Sequence, residues 1–449
     1  MASTIRILHI CNEVGLGGTE RGIISMCKTM RYDLFEHEVF CAIRGGARAG
    51  EIESPARLHV PPEGADGPAD ALLALAQLCE VRVFDVAVIH RAGCAERTWS
   101  EMLRILRAAK IDLVIEINIF GLVDSSPEDE LIDWHLHISK TSYCSFRERA
   151  LDARYPRMER HRVLYIPIET SMYAAGPDAA TRRADLRGRL GFTENDFVLL
   201  RVGRPDFRKW GDLLLESIPV VLGKIPQACF LFLSAPPSRA WYMRHRFPAD
   251  RVRVLPVTSD DGKLRDAYES ADVYLHSSRR GESYGASLVE AMAASLPIVV
   301  NSTPWRDNAQ VELVEHMRTG IIANSPKAIS GALAHLHASS EDRLKMGQAG
   351  RAKAESLYDA SVVCKSLASL IVATLGQGRR LSLPEDFESG GIQPAMQEIE
   401  AYWHTERAKR EADNWDGLPP RRFPQSLSRI AWGVVDVCEW AGSRAGIFR

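Results

Sequence analysis

Residues 281–300 read GESYGASLVEAMAASLPIVV and set two glutamates, Glu282 and Glu290, eight positions apart around Tyr284 and Gly285. Just before them ADVYLHSS (271–278) reads as a short buried strand, ASLVEAMAA (286–294) as a helix, and PIVVN (297–301) as the next strand. Such a strand-loop-helix-strand unit belongs to an open parallel sheet, where ligands bind as loops leave the carboxyl ends of strands. Arg279 to Gly285 make a loop of that kind, so Glu282 is expected in a crevice. Glu290 falls near the second turn of the helix, and the free N–H groups around Gly285 to Ser287 face an anion. Taken alone, the stretch equally suits a solvated helix glutamate after a tight turn.

The same alternation runs along the chain twice. IRILHIC, EHEVFCAI, DVAVIH, DLVIEINIF, WHLHISK and RVLYIPI read as strands, separated mostly by helical stretches such as ERTWSEMLRILRAAK. ETSMYAAGPDAATRR (169–183) breaks the pattern, and FVLLRVGR, CFLFLSA, RVRVLPV, DVYLHSS, PIVVN and GIIAN make a second series. The fold class is therefore α/β, with two Rossmann-like doubly wound domains, 1–172 and 173–375, facing a cleft. Beyond Leu375 the turn-rich GQGRRLSLPEDFESGG leads to a charged helical stretch near Pro394 to Asp413 and a basic, aromatic end. Residues 376–449 thus form a C-terminal extension of linker and helices.

At 449 residues and 46% hydrophobic, the chain holds enough apolar material for two sizeable cores. Its 56 basic and 58 acidic residues leave a net charge of −2, which gives no nucleic-acid footprint. The opening MASTIRILHICNEV has a strand pattern without a positive n-region, and no apolar run approaches ~18 residues, so a cytoplasmic location is expected. Nine cysteines, an odd number without a C-x-x-C pair, point to reduced thiols and no structural metal.

Two further segments bear on the crevice. VGRPDFRKW (202–210) follows the first strand of the second series and puts Arg204 and Lys209 at a strand's carboxyl end before a helix. A guanidinium and a compact ammonium suit a diphosphate leaving group, because both charge-assisted bonds strengthen as negative charge develops. A solvated basic loop has the same composition. VGLGGTE (14–20) follows the first strand, and Gly17 and Gly18 let the backbone come close to a ligand or simply make a tight turn. It lacks both the G-x-G-x-x-G spacing and the P-loop lysine.

Together GGTE (17–20), DVAVIH (85–90), VGRPDFRK (202–209), YESADVYLHSS (268–278) and ESYGASLVEAMA (282–293) followed by LPIVV resemble the family-four retaining glycosyltransferases of the GT-B fold, with the E-x7-E signature last. The resemblance covers about residues 5 to 375. It implies that Glu290 accepts hydrogen bonds from the ribose hydroxyls of a UDP- or GDP-linked sugar, and that Glu282 stands beside the transferred sugar. It further implies that Arg204 and Lys209 bind the diphosphate, that Gly18, with Gly17, approaches the phosphates, and that His90 lies near the donor sugar. Tyr284, Gly285 and Ala286 complete the implied donor site. No D-x-D triplet occurs, so no metal is expected. A saccharide or lipid-linked acceptor is implied.

Departures from the family pattern touch both substrates. STPWRDNAQVELVE replaces a Gly-Gly turn and brings Trp305, Arg306 and Asn308 toward the donor phosphates, while Asn118 in EINIFG stands where relatives often carry histidine. In the C-terminal extension, Leu427, Ile430, Val434, Cys438 and Ala441 fall at helical spacing among five arginines. This end suits a peripheral membrane contact or a helix packed back on the protein or on a second subunit. Another GT-B reaction, such as nucleotide-sugar epimerisation or phosphorolysis, and a noncatalytic nucleotide-sugar-binding role stay open at this point.

Overall fold

The computed structural model describes residues 4–30, 33–62, 64, 67–304, 306–377, 383, 387, 391 and 393–411. Seven strands, β1 (Ile5–Cys11), β2 (Phe35–Cys41), β3 (Arg57–His59), β4 (Val86–Arg91), β5 (Leu113–Asn118), β6 (Trp134–His137) and β7 (His161–Val163), form one parallel sheet in the order 3-2-1-4-5-6-7. Six more, β8 (Phe197–Val202), β9 (Ala228–Leu233), β10 (Val252–Leu255), β11 (Val273–His276), β12 (Ile298–Val300) and β13 (Gly320–Ile322), form a second in the order 10-9-8-11-12-13. Every residue of β4, β5, β8 and β9 is buried, as a parallel sheet covered on both faces requires. That is why these strands are legible as continuous apolar runs. β3 escaped the sequence reading because Arg-Leu-His is short, polar and half exposed, a poor match to any apolar run.

The chain divides into two compact units. The first takes in the described chain up to Ala174, together with Glu282–Ala293 and Arg351 to Trp403; the second comprises Ala175–Gly281, Ala294–Gly350 and the described residues from His404 on. In the first, the sheet and helices Pro68–Val81 and Arg97–Ala108 enclose a core around Leu8, Ile89, Leu103 and Val114. In the second, helices Asp212–Lys224 and Pro326–Ala338 pack around Phe230, Phe232, Leu214 and Leu333.

The charged C-terminal stretch is a helix, Met396–Glu411, seated on helix Lys140–Asp152. The Arg147 guanidinium lies 4.1 Å from the Trp403 ring centroid and pairs with Glu400, and Tyr402 Oη meets Thr141 Oγ1 at 3.0 Å. The arginine-rich end beyond it, with its expected membrane or packing helix, and Trp305 lie outside the described residues. Among the described residues no helix is long and apolar enough to cross a membrane.

Candidate functional site

Strand order reverses between β1 and β4 in the first sheet and between β8 and β11 in the second. Loops leaving strands on either side of such a reversal diverge and open a crevice. The predicted site residues occupy these loops or the helices that follow them, except His90, which stands inside β4. Gly17, Gly18, His90, Glu282, Tyr284, Gly285, Ala286 and Glu290 belong to the first unit, and Arg204 and Lys209 to the second.

In the first unit Gly18 opens helix Gly18–Thr29 and Ala286 opens helix Ala286–Ala293. A Cβ on Gly18 would lie 2.9 Å from the Ala286 Cβ, and one on Gly22 would lie 2.7 Å from Ile166. Glycine at position 18 therefore lets the two helix starts meet and converges their free N–H groups and positive dipole ends, while glycine at 22 lets the first helix lie against Ile166. The loop before Ala286 is fixed at several points. Ser139 Oγ donates to the Ser283 carbonyl at 2.6 Å, Tyr284 Oη donates to the Ile166 carbonyl at 2.8 Å, and Gly285 has φ +98°, a glycine conformation. The Tyr284 ring is buried edge-on to Tyr358, so its side chain anchors the loop.

Glu282 and Glu290 are both buried. Glu290 faces Arg21, with Nη1 3.6 Å from its carboxylate, and Arg21 also donates to Met172 Sδ at 3.1 Å and lies over the Tyr173 ring. Sequence reasoning missed Arg21. Its signal was a cation close to a helix N-terminus, where the macrodipole favours acids.

His90 ends a row of three imidazoles carried by β4, β1 and β2. His90 Nε2 meets His9 Nδ1 at 3.3 Å and His9 Nε2 meets His37 Nδ1 at 3.0 Å. The ring centroids lie 5.6 and 5.3 Å apart, longer than the N···N contacts by two ring radii, so the rings stand end to end. Cys27 Sγ completes a trio with His9 and His37 that has metal-ligand chemistry. His9 Nε2 and His37 Nδ1, however, face each other across a hydrogen bond, one donating its N–H and the other accepting, rather than converging on a cation. Burial pushes His90 down to about 3 and His37 to about 4; burial, then His37 and His90, lower His9 well below the ordinary range. All three are neutral. His90 Nδ1 has no partner among the described residues, and the ring lines a small apolar cavity with Thr19, Gly22 and Ile166.

The neighbouring loops are tied by Asn118, which donates to the Leu122 carbonyl at 3.0 Å and accepts from Gly121 N at 2.8 Å. Beneath them Arg91 pairs with Glu116 at 2.5 Å and Asp124 at 2.9 Å. Burial would raise the Glu116 carboxyl, but Arg91 and then His135 outweigh it and hold it at about 2.

In the second unit the loop leaving β8 carries Arg204, exposed, and Lys209, half-buried, whose Nζ donates to the Gly281 carbonyl at 3.3 Å. Gly281 has φ +73°, and any Cβ there would strike the Asp307 carbonyl and Thr303. Asn308 is buried and accepts from Thr303 N at 2.7 Å, so it braces the loop after β12 instead of reaching toward phosphates. Asn301 does the same between β12 and Ser278, at 3.0 and 3.1 Å.

The architecture is shared with HepE of Anabaena, solved in complex with UDP, at a TM-score of 0.65 and 18% identity over 82% of this chain and all of that one. A phosphatidyl-myo-inositol mannosyltransferase of Mycobacterium leprae is 32% identical over 190 residues, 41% of this chain and 50% of the relative. A D-inositol 3-phosphate glycosyltransferase of Thermobispora bispora is 25% identical over 267 residues, 56% and 59% of the two chains. The chain spans about half the length of the curated relatives it matches. Residues 196–339, which hold all six strands of the second sheet and both loops at its reversal, match the family model for Glycosyl transferases group 1.

Proposed function

We propose that this chain is a retaining glycosyltransferase that moves a sugar from a UDP- or GDP-linked donor to a hydroxyl of a saccharide or lipid-linked acceptor, in bacterial glycan or glycoconjugate synthesis. The observation that carries this reading is the loop leaving β8, which sets Arg204 and Lys209 at the strand-order reversal of the sheet that matches the group 1 model. HepE is solved with UDP and with UDP-glucose, which supports a uridine nucleotide as the handle. The mannosyltransferase relatives support an alcohol acceptor.

As the bond from the anomeric carbon to the diphosphate breaks, negative charge grows on the departing oxygen and positive charge on the ring. Arg204, Lys209 and the N–H groups at the starts of the helices at Gly18 and Ala286 support the first; Glu282 supports the second. Glu290 holds the ribose, and His90 Nδ1 meets a sugar hydroxyl. The acceptor oxygen attacks on the face the diphosphate leaves, and its proton passes to a phosphate oxygen, so neither a dedicated base nor a metal is needed.

Calorimetric titration with UDP and GDP tests the ribose assignment. Glu290→Ala is expected to weaken nucleotide binding about tenfold or more, roughly 1.4 kcal/mol, and to slow the bound donor far less, because the ribose contact is alike in ground and transition states. Unchanged affinity removes Glu290 from the ribose. An epimer formed from donor alone would move the chain to a different GT-B reaction.

A further inference from the structure

The second unit buries a guanidinium that no carboxylate among the described residues balances. Arg201 on β8 is 1% exposed, and each of its hydrogen bonds goes to an uncharged oxygen: Nη1 donates to the Val202 carbonyl and to Tyr274 Oη at 3.2 Å, and Nη2 donates to the Lys209 carbonyl at 2.8 Å. Nε has no partner among the described residues, and the guanidinium carbon lies 5.2 Å from the Trp210 ring centroid. The other deeply buried guanidiniums are paired, Arg187 with Asp272 at 2.8 Å and Arg91 with Glu116 and Asp124. A buried cation left without a counter-ion is costly, so its retention asks for a compensating role.

Its position supplies one. The planar fork grips both ends of the loop 203–209, through the carbonyls of Val202 and Lys209, and Trp210 Nε1 takes the Arg204 carbonyl at 2.9 Å. Three carbonyl dipoles that would repel an anion are thereby turned inward onto donors. Gly203 crosses directly above, where a Cβ would lie 3.3 Å from both terminal nitrogens. Lysine carries its three donors on one nitrogen and lacks the fork that reaches both ends of the loop at once.

We propose that Arg201 is a positioning residue for an anion subsite: it shapes the loop that presents Arg204 and Lys209, and the bound diphosphate is the counter-ion its charge lacks. The inference rests on the donor-site reading above. Arg201→Lys keeps the charge and loses the fork; Arg201→Gln loses the charge and keeps a donor. Inorganic pyrophosphate, UDP and uridine are titrated calorimetrically into wild type and both variants, with melting temperatures as the folding check. Pyrophosphate and UDP affinity are expected to fall several-fold in Arg201→Lys and more than tenfold in Arg201→Gln, while uridine affinity stays within twofold. Wild-type pyrophosphate affinity in folded Arg201→Gln overturns the proposal. An equal loss for uridine also overturns it, by making Arg201 a general support of the unit. A wild type that binds none of UDP, GDP and pyrophosphate refutes the donor-site reading itself, and the subsite with it.

Discussion

Lys209→Met and Arg204→Gln are each expected to lower turnover at saturating donor by a hundred- to a thousandfold while changing donor affinity much less. Charge on the diphosphate grows as the glycosidic bond breaks, so a cation there is worth more in the transition state than in the bound ground state. Removal of one preorganised donor to a developing oxyanion costs roughly 2.7–4 kcal/mol, which sets the scale. The Lys209 ammonium is already directed to the rim of the second sheet by the Gly281 carbonyl, so little reorganisation opposes its engagement. The double variant should lose less than the product of the single losses, because both cations serve one leaving group. Steady-state turnover of the four proteins, with and without EDTA and with melting temperatures matched, decides the matter. Near wild-type turnover in both folded single variants reduces Arg204 and Lys209 to a solvated loop, and activity lost to EDTA and restored by manganese reassigns their work to a metal.

The second large effect is on acid stability. His9, His37, His90, His137 and His161 are all buried and held neutral: burial lowers His37 to about 4 and His90 and His137 to about 3, and it lowers His9 and His161 well below their ordinary range. In the unfolded chain each titrates near ~6.5. Below that pH the unfolded state binds protons the folded state refuses, so stability is full above about 6.5 and is lost as pH falls toward the folded values. Each imidazole contributes a slope of about 1.4 kcal/mol per pH unit, and five together remove on the order of 7 kcal/mol by about pH 5.5. That rivals the whole stability of many domains. The melting temperature should fall by roughly 10–20 °C between pH 7.5 and 5.5, before most carboxylates titrate. His137→Phe should make the slope shallower by about one proton. A melting temperature flat across this interval contradicts the neutral, buried row.

Most of the scaffold was legible in the sequence because buried parallel strands must be apolar on both faces. DVAVIH and FVLLRV announce themselves, and the loop after the second is where Arg204 and Lys209 are read; His90, inside the first, was singled out only through the family resemblance. The histidine row was not legible. His9, His37 and His90 stand alone in three separate apolar runs, and only the parallel register of β2, β1 and β4 brings them end to end. Arg201 was hidden for a related reason: inside a strand its charge reads as a sheet-edge residue, whereas it curls beneath the loop that follows. Arg21 lies one residue beyond the GGTE segment and was missed, since helical spacing says which residues share a face but not which acid they meet. Asn308 shows the reverse failure, a polar side chain assigned to a ligand that the chain uses to brace its own turn.

The discontinuous first unit also bears on how the protein is made. Helix Gly18–Thr29 packs on helix Ala360–Leu375, and Trp134 Nε1 donates to Thr374 Oγ1 at 3.0 Å, so contacts that close the earliest part of the chain come from residues synthesised more than two hundred positions later. On a ribosome adding roughly 5–20 residues per second, the amino-terminal sheet emerges and pairs its strands well before its last cover arrives. The second sheet has no such wait beyond its own span. Maturation therefore runs out of chain order, with the first unit to begin folding among the last to finish, and its uncovered apolar helix face is the stretch most exposed to misassembly in the interval.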